Sequence, residues 1–333
     1  MLNPVFPAAV GMRSLTCARL RSLIFGAFSL AIPESMPAAP AGSSSIVNVM
    51  TTDDRTRRTV IAAINPVVGG GGGMPQRDGT NGSGADSAYL KNTPIEINEA
   101  EVPVRFLRYG LLPDSGGAGR WRGGLATVLE FQVFAPGTHI TVRNRDRCRF
   151  RPWGTLGGNA AERSDFILNP GTEREKILGN ADILLAAPGD IIHIHSPGGG
   201  GRGSPLEREP ERVLLDVERG YVSSNAAEAL YGVVIRDGAV EIVATRARRA
   251  ALRARTLGGH FDFGPERREF ERIWNHANYD CLTALLARLP IHWRYFVKTK
   301  LFEAMREPAG EGEPSLPSAL AAVRRAYPQI PLG

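Results

Sequence analysis

Two periodicities divide the chain. Between residues 46 and 195, apolar and polar positions alternate in short runs: IVNVM, RTVIAAI, IEINEAEVPVRF, ATVLEFQVF, THITVRNRDRCRF, SDFILN, EKILG and DIIHIHS. Alternation sends successive side chains to opposite faces, so each run reads as a half-buried strand. Many short strands separated by Gly/Pro turns predict a sandwich-like or barrel-like region. Outside that stretch the spacing becomes three and four. In TCARLRSLIFGAFSLAIP, residues Leu20, Leu23, Ile24, Ala27 and Phe28 fall on one helical face, and Pro33 closes the helix. PLEREPERVLLDVERG and SSNAAEALYG read as helices, the second with Ser223 or Ser224 as N-cap and Gly232 near its end. GVVI, RDG and AVEIVA form a predicted hairpin, and RARRAALRARTL a basic helix. Aromatic-bearing helices follow, with Trp274, Tyr279, Trp293, Tyr295 and Phe296 as core or subunit-interface residues. EPAGEGEPSLPS then reads as a linker before a last short helix.

The expected class is therefore α+β: a β-rich central region with Gly-rich loops, a helical N-terminal segment and a helical C-terminal tail. Residues 1–235 form one region in this reading, and 236–333 a mainly helical extension. The chain has 333 residues, enough to bury one large or two medium cores. Lys and Arg number 40 against 34 Asp and Glu, a formal charge of +6. The excess is spread along the chain and forms no Lys/Arg block interleaved with aromatics, which argues against nucleic acid as a partner. Cys17, Cys148 and Cys281 are far apart and form no CxxC pair. That usage speaks against a disulfide framework or thiolate zinc site and for a reducing cytoplasm. Arg13, Arg19 and Arg21 before SLIFGAFSLAIP give the N-terminus some signal-peptide character, but the helical spacing is the preferred reading. No apolar run reaches membrane-span length.

Four segments carry candidate chemistry. PDSGGAGRWRGG, residues 113–124, sets Gly116 and Gly117 between Asp114 and the pair Arg120 and Arg122. Glycine lets backbone approach a ligand and present amides to an anion. Asp114 suits a base or ligand, and the arginines suit a carboxylate or phosphate. The alternative is a tight turn with exposed arginines. It is not a Walker A loop, because no Gly-Lys-Ser/Thr follows. In NEAE, Glu99 and Glu101 share one face if the segment is a strand, for acid–base work or a divalent cation, or for pairing with nearby arginines. SPGGGGRGSP, residues 196–205, contains Gly198, Gly199 and Gly200, as a phosphate cradle or as a turn where another segment packs closely. His193 and His195 just before it share a strand face without an evident third metal ligand. In RNRDRCRFRPWG, alternation aligns Arg143, Arg145, Arg147, Arg149 and Arg151 on one face, for an anion or an acidic partner surface.

Several of these segments also occur in order in a known family. NPVFPAAV, GGGGGMPQRDG, YLKNTPIEINEAEVPVRFLRYGLLPDSGGAGRWRGG, RNRDRCRFRPWG and SPGGGGRGSPLEREPERVLLDVERGYVS together resemble the C-terminal half of the hydantoinase B/oxoprolinase family. The tail from FDFGPERREFERIW resembles the N-methylhydantoinase B branch, near the acetone carboxylases. The resemblance implies that residues 1–235 are the C-terminal part of a B-type subunit. That subunit would open 5-oxoproline or hydantoin-type rings with ATP and Mg held by a hydantoinase A-type nucleotide-binding partner, in a hetero-oligomer. Two alternatives go with it: ATP-dependent carboxylation of a small ketone, and a catalytically silent assembly module. The family also implies a divalent metal held by a segment of the form His-His-x-Asp-x-Gly-Gly. This sequence contains no such segment, so its ligands would be absent or supplied by a separate polypeptide. Where the family reads GGWGDP or GGYGDP, this chain reads GGGRGSP, with Arg202 and Ser204 at the changed positions.

Overall fold

The computed structural model describes residues 13–42, 44–53, 56–83, 93–143, 145–181, 183–254, 259–306 and 315–331. NPVFPAAV and residues 307–314 of the expected linker lie outside them. The chain forms two compact units, Met1–Gly264 and Pro265–Gly333. The segment 236–264, read from sequence as part of the helical extension, thus belongs to the first unit.

Helix α1 (Arg13–Ala31) leads into β1 (Ser44–Thr52) and β2 (Thr59–Val68), followed by α2 (Ile95–Glu101), β3 (Val104–Leu111), β4 (Thr127–Val133) and β5 (Thr138–Arg143). Short β6 (Gly154–Thr155), β7 (Asp165–Leu168), β8 (Lys176–Ile177) and β9 (Ile183–Ala186) precede β10 (Ile191–His195). Two antiparallel sheets result, with strand orders β2-β1-β5-β9 and β3-β4-β10-β7-β8. Their inner faces share one core. Val47, Val49, Ile64, Ile140 and Val142 come from the first sheet, and Leu129, Phe131, Phe166, Ile192 and Ile194 from the second. The predicted alternation is the burial pattern of β4, in which Leu129, Phe131 and Val133 face the core. The outer face of the first sheet is different: Ile61, Ile183 and Leu185 are each more than 60% exposed.

A 3-10 turn (Pro205–Glu207) and α3 (Pro210–Glu218) replace the single helix predicted from 205, because Pro210 starts a new helix where its missing N–H costs nothing. Helix α4 (Ser224–Tyr231) has the predicted punctuation: the Ser223 hydroxyl accepts from the Ala226 amide, and Gly232 ends it at φ 63°. A two-residue hairpin, β11 (Ile235–Arg236) with β12 (Ala239–Val240), runs into α5 (Ile242–Arg253), so EIVA is not the full second strand that was expected. Strand β13 (Phe261–Asp262) pairs with β6. The second unit holds α6 (Pro265–Ile273), α7 (His276–Arg288), α8 (Ile291–Arg306) and α9 (Leu316–Ala326) around Leu282, Val297, Leu301, Met305 and Val323. There Trp274 stacks on Phe302 at 4.4 Å, while Tyr295 is exposed.

Three expectations fail locally. The NEAE segment is not a strand but the last turn of α2, which follows Pro94. Asn, Glu and Ala are poor strand formers, and in a helix positions 99 and 101 do not share a face. The arginine run is not a strand beyond Arg143 either. The chain turns into a loop in which Arg147 takes φ 58°. Helix α1 exists, but its predicted face is reversed. Leu23, Ile24 and Phe28 are exposed, and Ala18, Ser22 and Ser29 are buried. The small residues let α1 come close: Ser29 Oγ lies 3.0 Å from His260 Nε2, and Gly26 packs beside Trp153.

Candidate functional site

The predicted ligand loops are packed against each other. Segments 69–73, 116–124 and 198–201 run side by side, joined by backbone hydrogen bonds. Gly73 N donates to Gly200 O (2.8 Å), Gly124 N to Gly71 O (2.7 Å) and Gly123 N to Gly117 O (2.9 Å). Gly117 N donates to Gly199 O (2.8 Å), Gly198 N to Glu162 O (3.0 Å), Gly199 N to Gly124 O (2.9 Å) and Gly200 N to Ala39 O (2.8 Å). A Cβ built on Gly116, Gly117, Gly123, Gly198, Gly199 or Gly200 would overlap a neighbouring backbone carbonyl. These glycines form a buried bundle in which main chain packs on main chain. It satisfies the rule that buried amides find partners without any regular sheet. The amides of Gly117 and Gly198–Gly200 are committed to carbonyls, so the cradle reading gives way to the close-packing alternative.

Around that bundle, each candidate side chain has an identifiable local duty. Arg122 is buried. Its backbone N–H donates to Asp78 Oδ1 (2.8 Å), its guanidinium donates to Gly123 O (2.6 Å), and it lies 5.4 Å from the Tyr221 ring. Arg208, also buried, donates to both oxygens of Asp78 (2.7 and 2.8 Å) and to Asp216 Oδ2 (2.7 Å). Burial works against the Arg208 charge, but Asp78 and Asp216 outweigh it and hold the guanidinium above its ordinary value. Burial likewise opposes the Asp78 charge and is outweighed by Arg208 and Arg122, so its carboxyl sits below the usual range. Burial pushes the adjacent Tyr231 phenol well up. This network ties the glycine bundle to α3.

Asp114 and Arg120 remain exposed. Asp114 takes φ 61° and accepts from Ser223 N (2.8 Å), holding the start of α4. Arg120 N donates to Gly203 O (3.0 Å), and its side chain reaches Glu207 at 3.9 Å. Glu99 Oε1 accepts from Phe106 N (2.7 Å), joining α2 to β3. The two family-variant positions also have duties. Arg202 donates to the carbonyls of Pro33, Glu34 and Met36 beyond the end of α1, and Ser204 caps the 3-10 turn.

His193 and His195 belong to a chain of contacts that includes Glu130, which sequence reasoning did not single out. Strand register sets His193 opposite Glu130. Glu130 Oε1 is 2.6 Å from His193 Nδ1, His193 Nε2 is 3.0 Å from His195 Nδ1, and His195 Nε2 is 3.0 Å from Arg163 O. A carbonyl only accepts, so His195 carries its proton on Nε2 and accepts through Nδ1. Burial, then the neighbouring His193, lowers its pKa, which agrees with a neutral ring. His193 must then donate through Nε2. The available signal was a carboxylate at one of the polar positions of the alternating run VLEFQV. Among the described residues no group of three or more His, Cys, Asp or Glu is placed to hold an ion.

Comparison with known proteins agrees with this layout. The family model described as Hydantoinase B/oxoprolinase matches residues 1–205, which contain both sheets and the glycine bundle. An uncharacterized protein of Methanocaldococcus jannaschii is 35% identical over 238 residues, 71% of this chain and 40% of its own length. A putative D-/L-hydantoinase of Pseudomonas sp. has a B-type subunit that is 28% identical over 239 residues, 71% of this chain and 39% of the relative. Among solved structures, the ATP-dependent caprolactamase of Pseudomonas jessenii matches with a TM-score of 0.56 and 30% identity, covering 67% of this chain and 40% of that one. The chain therefore spans about two-fifths of the length of these two curated relatives.

Proposed function

The chain belongs to the hydantoinase B/oxoprolinase family, and from that premise we propose that it works as part of an ATP-dependent cyclic-amide hydrolase. The substrates in this reading are 5-oxoproline, hydantoin-type rings or a related lactam. ATP and Mg are held by a hydantoinase A-type nucleotide-binding subunit in a cytoplasmic hetero-oligomer. The observation that carries the reading is the match over 1–205, supported by the likeness to a lactam-opening enzyme over 67% of the chain. A second feature favours assembly with more protein. The outer face of the first sheet carries exposed Ile61, Ile183 and Leu185, and α1 exposes Leu23 and Phe28. Apolar surface of this kind marks protein interfaces. No described helix is long and apolar enough to cross a membrane.

Opening a cyclic amide needs an activated water, a proton for the ring nitrogen and a cation or donor for the developing oxyanion. In this proposal Asp114 serves the water and Arg120 the anionic centre, because both keep their side chains on the exposed side of the 113–124 loop. Arg122 and the glycines act as positioning residues that hold the loop rigid from beneath, and Glu99 positions β3, which leads into the loop. The test uses the chain within a complete assembly of a nucleotide-binding partner and a full-length B-type subunit. ADP release coupled to ring-opened product is expected. Asp114→Asn should lower kcat, and Arg120→Ala should raise KM. Unchanged turnover in both variants removes them from the site, and an assembly without ATP-dependent product overturns the enzymatic reading.

A further inference from the structure

The first sheet is patterned for cover on both of its faces. A sheet that meets water on one side alternates apolar and polar positions, whereas strands covered on both sides read as nearly continuous apolar runs. Strand β9 is ILLA, and β2 opens with TVIAAI. The register shows what this does in space. Ile61 pairs with Met50, Met50 with His139 and His139 with Leu185, so one row crosses all four strands. The next row joins Ala63, Asn48, Thr141 and Ile183 in the same way. Residues paired in register share a face. The positions between the rows, Val49, Ala62 and Ile140, point the other way, into the sandwich core.

Each row is roughly 14 Å wide, three strand spacings of about 4.8 Å. At the row ends Ile61, Ile183 and Leu185 are 62%, 67% and 63% exposed. In the middle, Asn48 Nδ2 donates to Thr141 Oγ1 (3.3 Å), so this polar pair satisfies itself within the face. Neither row contains an Asp, Glu, Lys or Arg, in a chain with 22% charged residues. Depletion of charge together with apolar area marks the centre of a lasting interface. In the Methanocaldococcus jannaschii relative the matched 238 residues are 40% of the length, and in the hydantoinase subunit the matched 239 residues are 39%. About three-fifths of each relative therefore lies outside the match. We propose that the two rows are the docking face for that remaining part of a B-type subunit. The first sheet then becomes the middle layer of three, with the second sheet on one side and the additional part on the other. The inference rests on the family reading, but its test needs no turnover. Ring opening without cover on this face would remove the docking proposal alone, and cover without ring opening would remove the enzymatic reading alone.

Leu185→Cys and Ile61→Cys place a thiol at either end of the first row, at positions exposed enough to leave the core undisturbed. Iodoacetamide labelling is followed by peptide mass spectrometry, with exposed Cys281 as internal control. It is compared between the chain alone and the chain joined to the part of the Methanocaldococcus jannaschii protein outside the match. Rapid labelling of both new thiols is expected in the chain alone. In the joined protein both should slow by about tenfold or more, with Cys281 unchanged, because a covered thiol is out of reach of the reagent. Equal rates in a folded joined protein overturn the proposal. Slow labelling in the chain alone also overturns it, and sedimentation then separates cover by a second copy, a dimer, from cover by the chain itself, a monomer. If the joined protein does not fold, the same substitutions at the aligned positions of the Methanocaldococcus jannaschii protein decide. Labelling there only after unfolding supports the proposal, and labelling of the folded protein overturns it.

Discussion

The first unit builds its interior in two different ways. In the β-sandwich, side chains fill the space: Phe131, Phe166, Ile192 and Ile194 are wholly buried between two sheets. In the glycine bundle the space is filled by main chain, with carbonyls at the places where a Cβ would sit. The sandwich gains stability from apolar area and tolerates changes that conserve volume. The bundle gains little apolar area and depends on amides meeting carbonyls across segments far apart in sequence. A single added methyl must displace a backbone there, and rotamer change cannot relieve it.

The largest expected effect follows from that difference. Gly199→Ala puts a methyl against the Gly71 carbonyl and should destabilise by about 5 kcal/mol or more, leaving no cooperative thermal transition in calorimetry. Phe131→Ala removes a wholly buried ring from the sandwich and should cost about 3–5 kcal/mol, read as a lower Tm with the fold retained.

Asp78→Asn breaks part of the network linking the bundle to α3. Its side chain is 25% exposed, so the cost should fall below that of a fully buried pair, about 2 kcal/mol. This contribution depends on pH. Because the folded carboxyl sits below its ordinary value, the unfolded chain binds the proton more readily. The stabilisation is complete above the unfolded value of about 3.9 and is lost as pH falls through the folded one. Denaturant midpoints of the native chain should drop over that acid window, and Asp78→Asn should flatten the drop. At the small end, Gly171→Ala has φ 71° but no neighbour within 4 Å. It should cost only about 1 kcal/mol from conformation, which isolates close approach as the cause of the Gly199 effect.

The two interiors were also unequally legible. Alternation in ATVLEFQVF and DIIHIHS located β4 and β10, because a half-buried strand writes its faces into the sequence. The Ser223 and Gly232 boundaries of α4 were readable for the same reason: caps are local chemistry. Consecutive glycines have no faces, so Gly198–Gly200 were equally consistent with a ligand cradle and with close packing, and only long-range hydrogen bonds separate the two. Helix α1 misled because its contacts use Ala18, Ser22 and Ser29, where closeness outweighs hydrophobicity. Among the candidate site residues, Arg122 and Glu99 could not be told from ligand-binding groups in one dimension. Their partners, Asp78 and the Phe106 amide, are brought to them only by folding. Glu130 was visible as the carboxylate on the polar face of an alternating strand, but its link to His193 needed the register.

The central claim is that the glycine segments are structural, with their amides committed to carbonyls. Hydrogen exchange on the chain labelled with 15N-glycine tests it directly, with and without added phosphate. The account predicts that the amides of Gly117, Gly198, Gly199 and Gly200 exchange at the global-unfolding limit and keep their shifts when phosphate is added. Rapid exchange of these four amides, or phosphate-dependent shifts centred on them, would contradict it and restore the anion cradle.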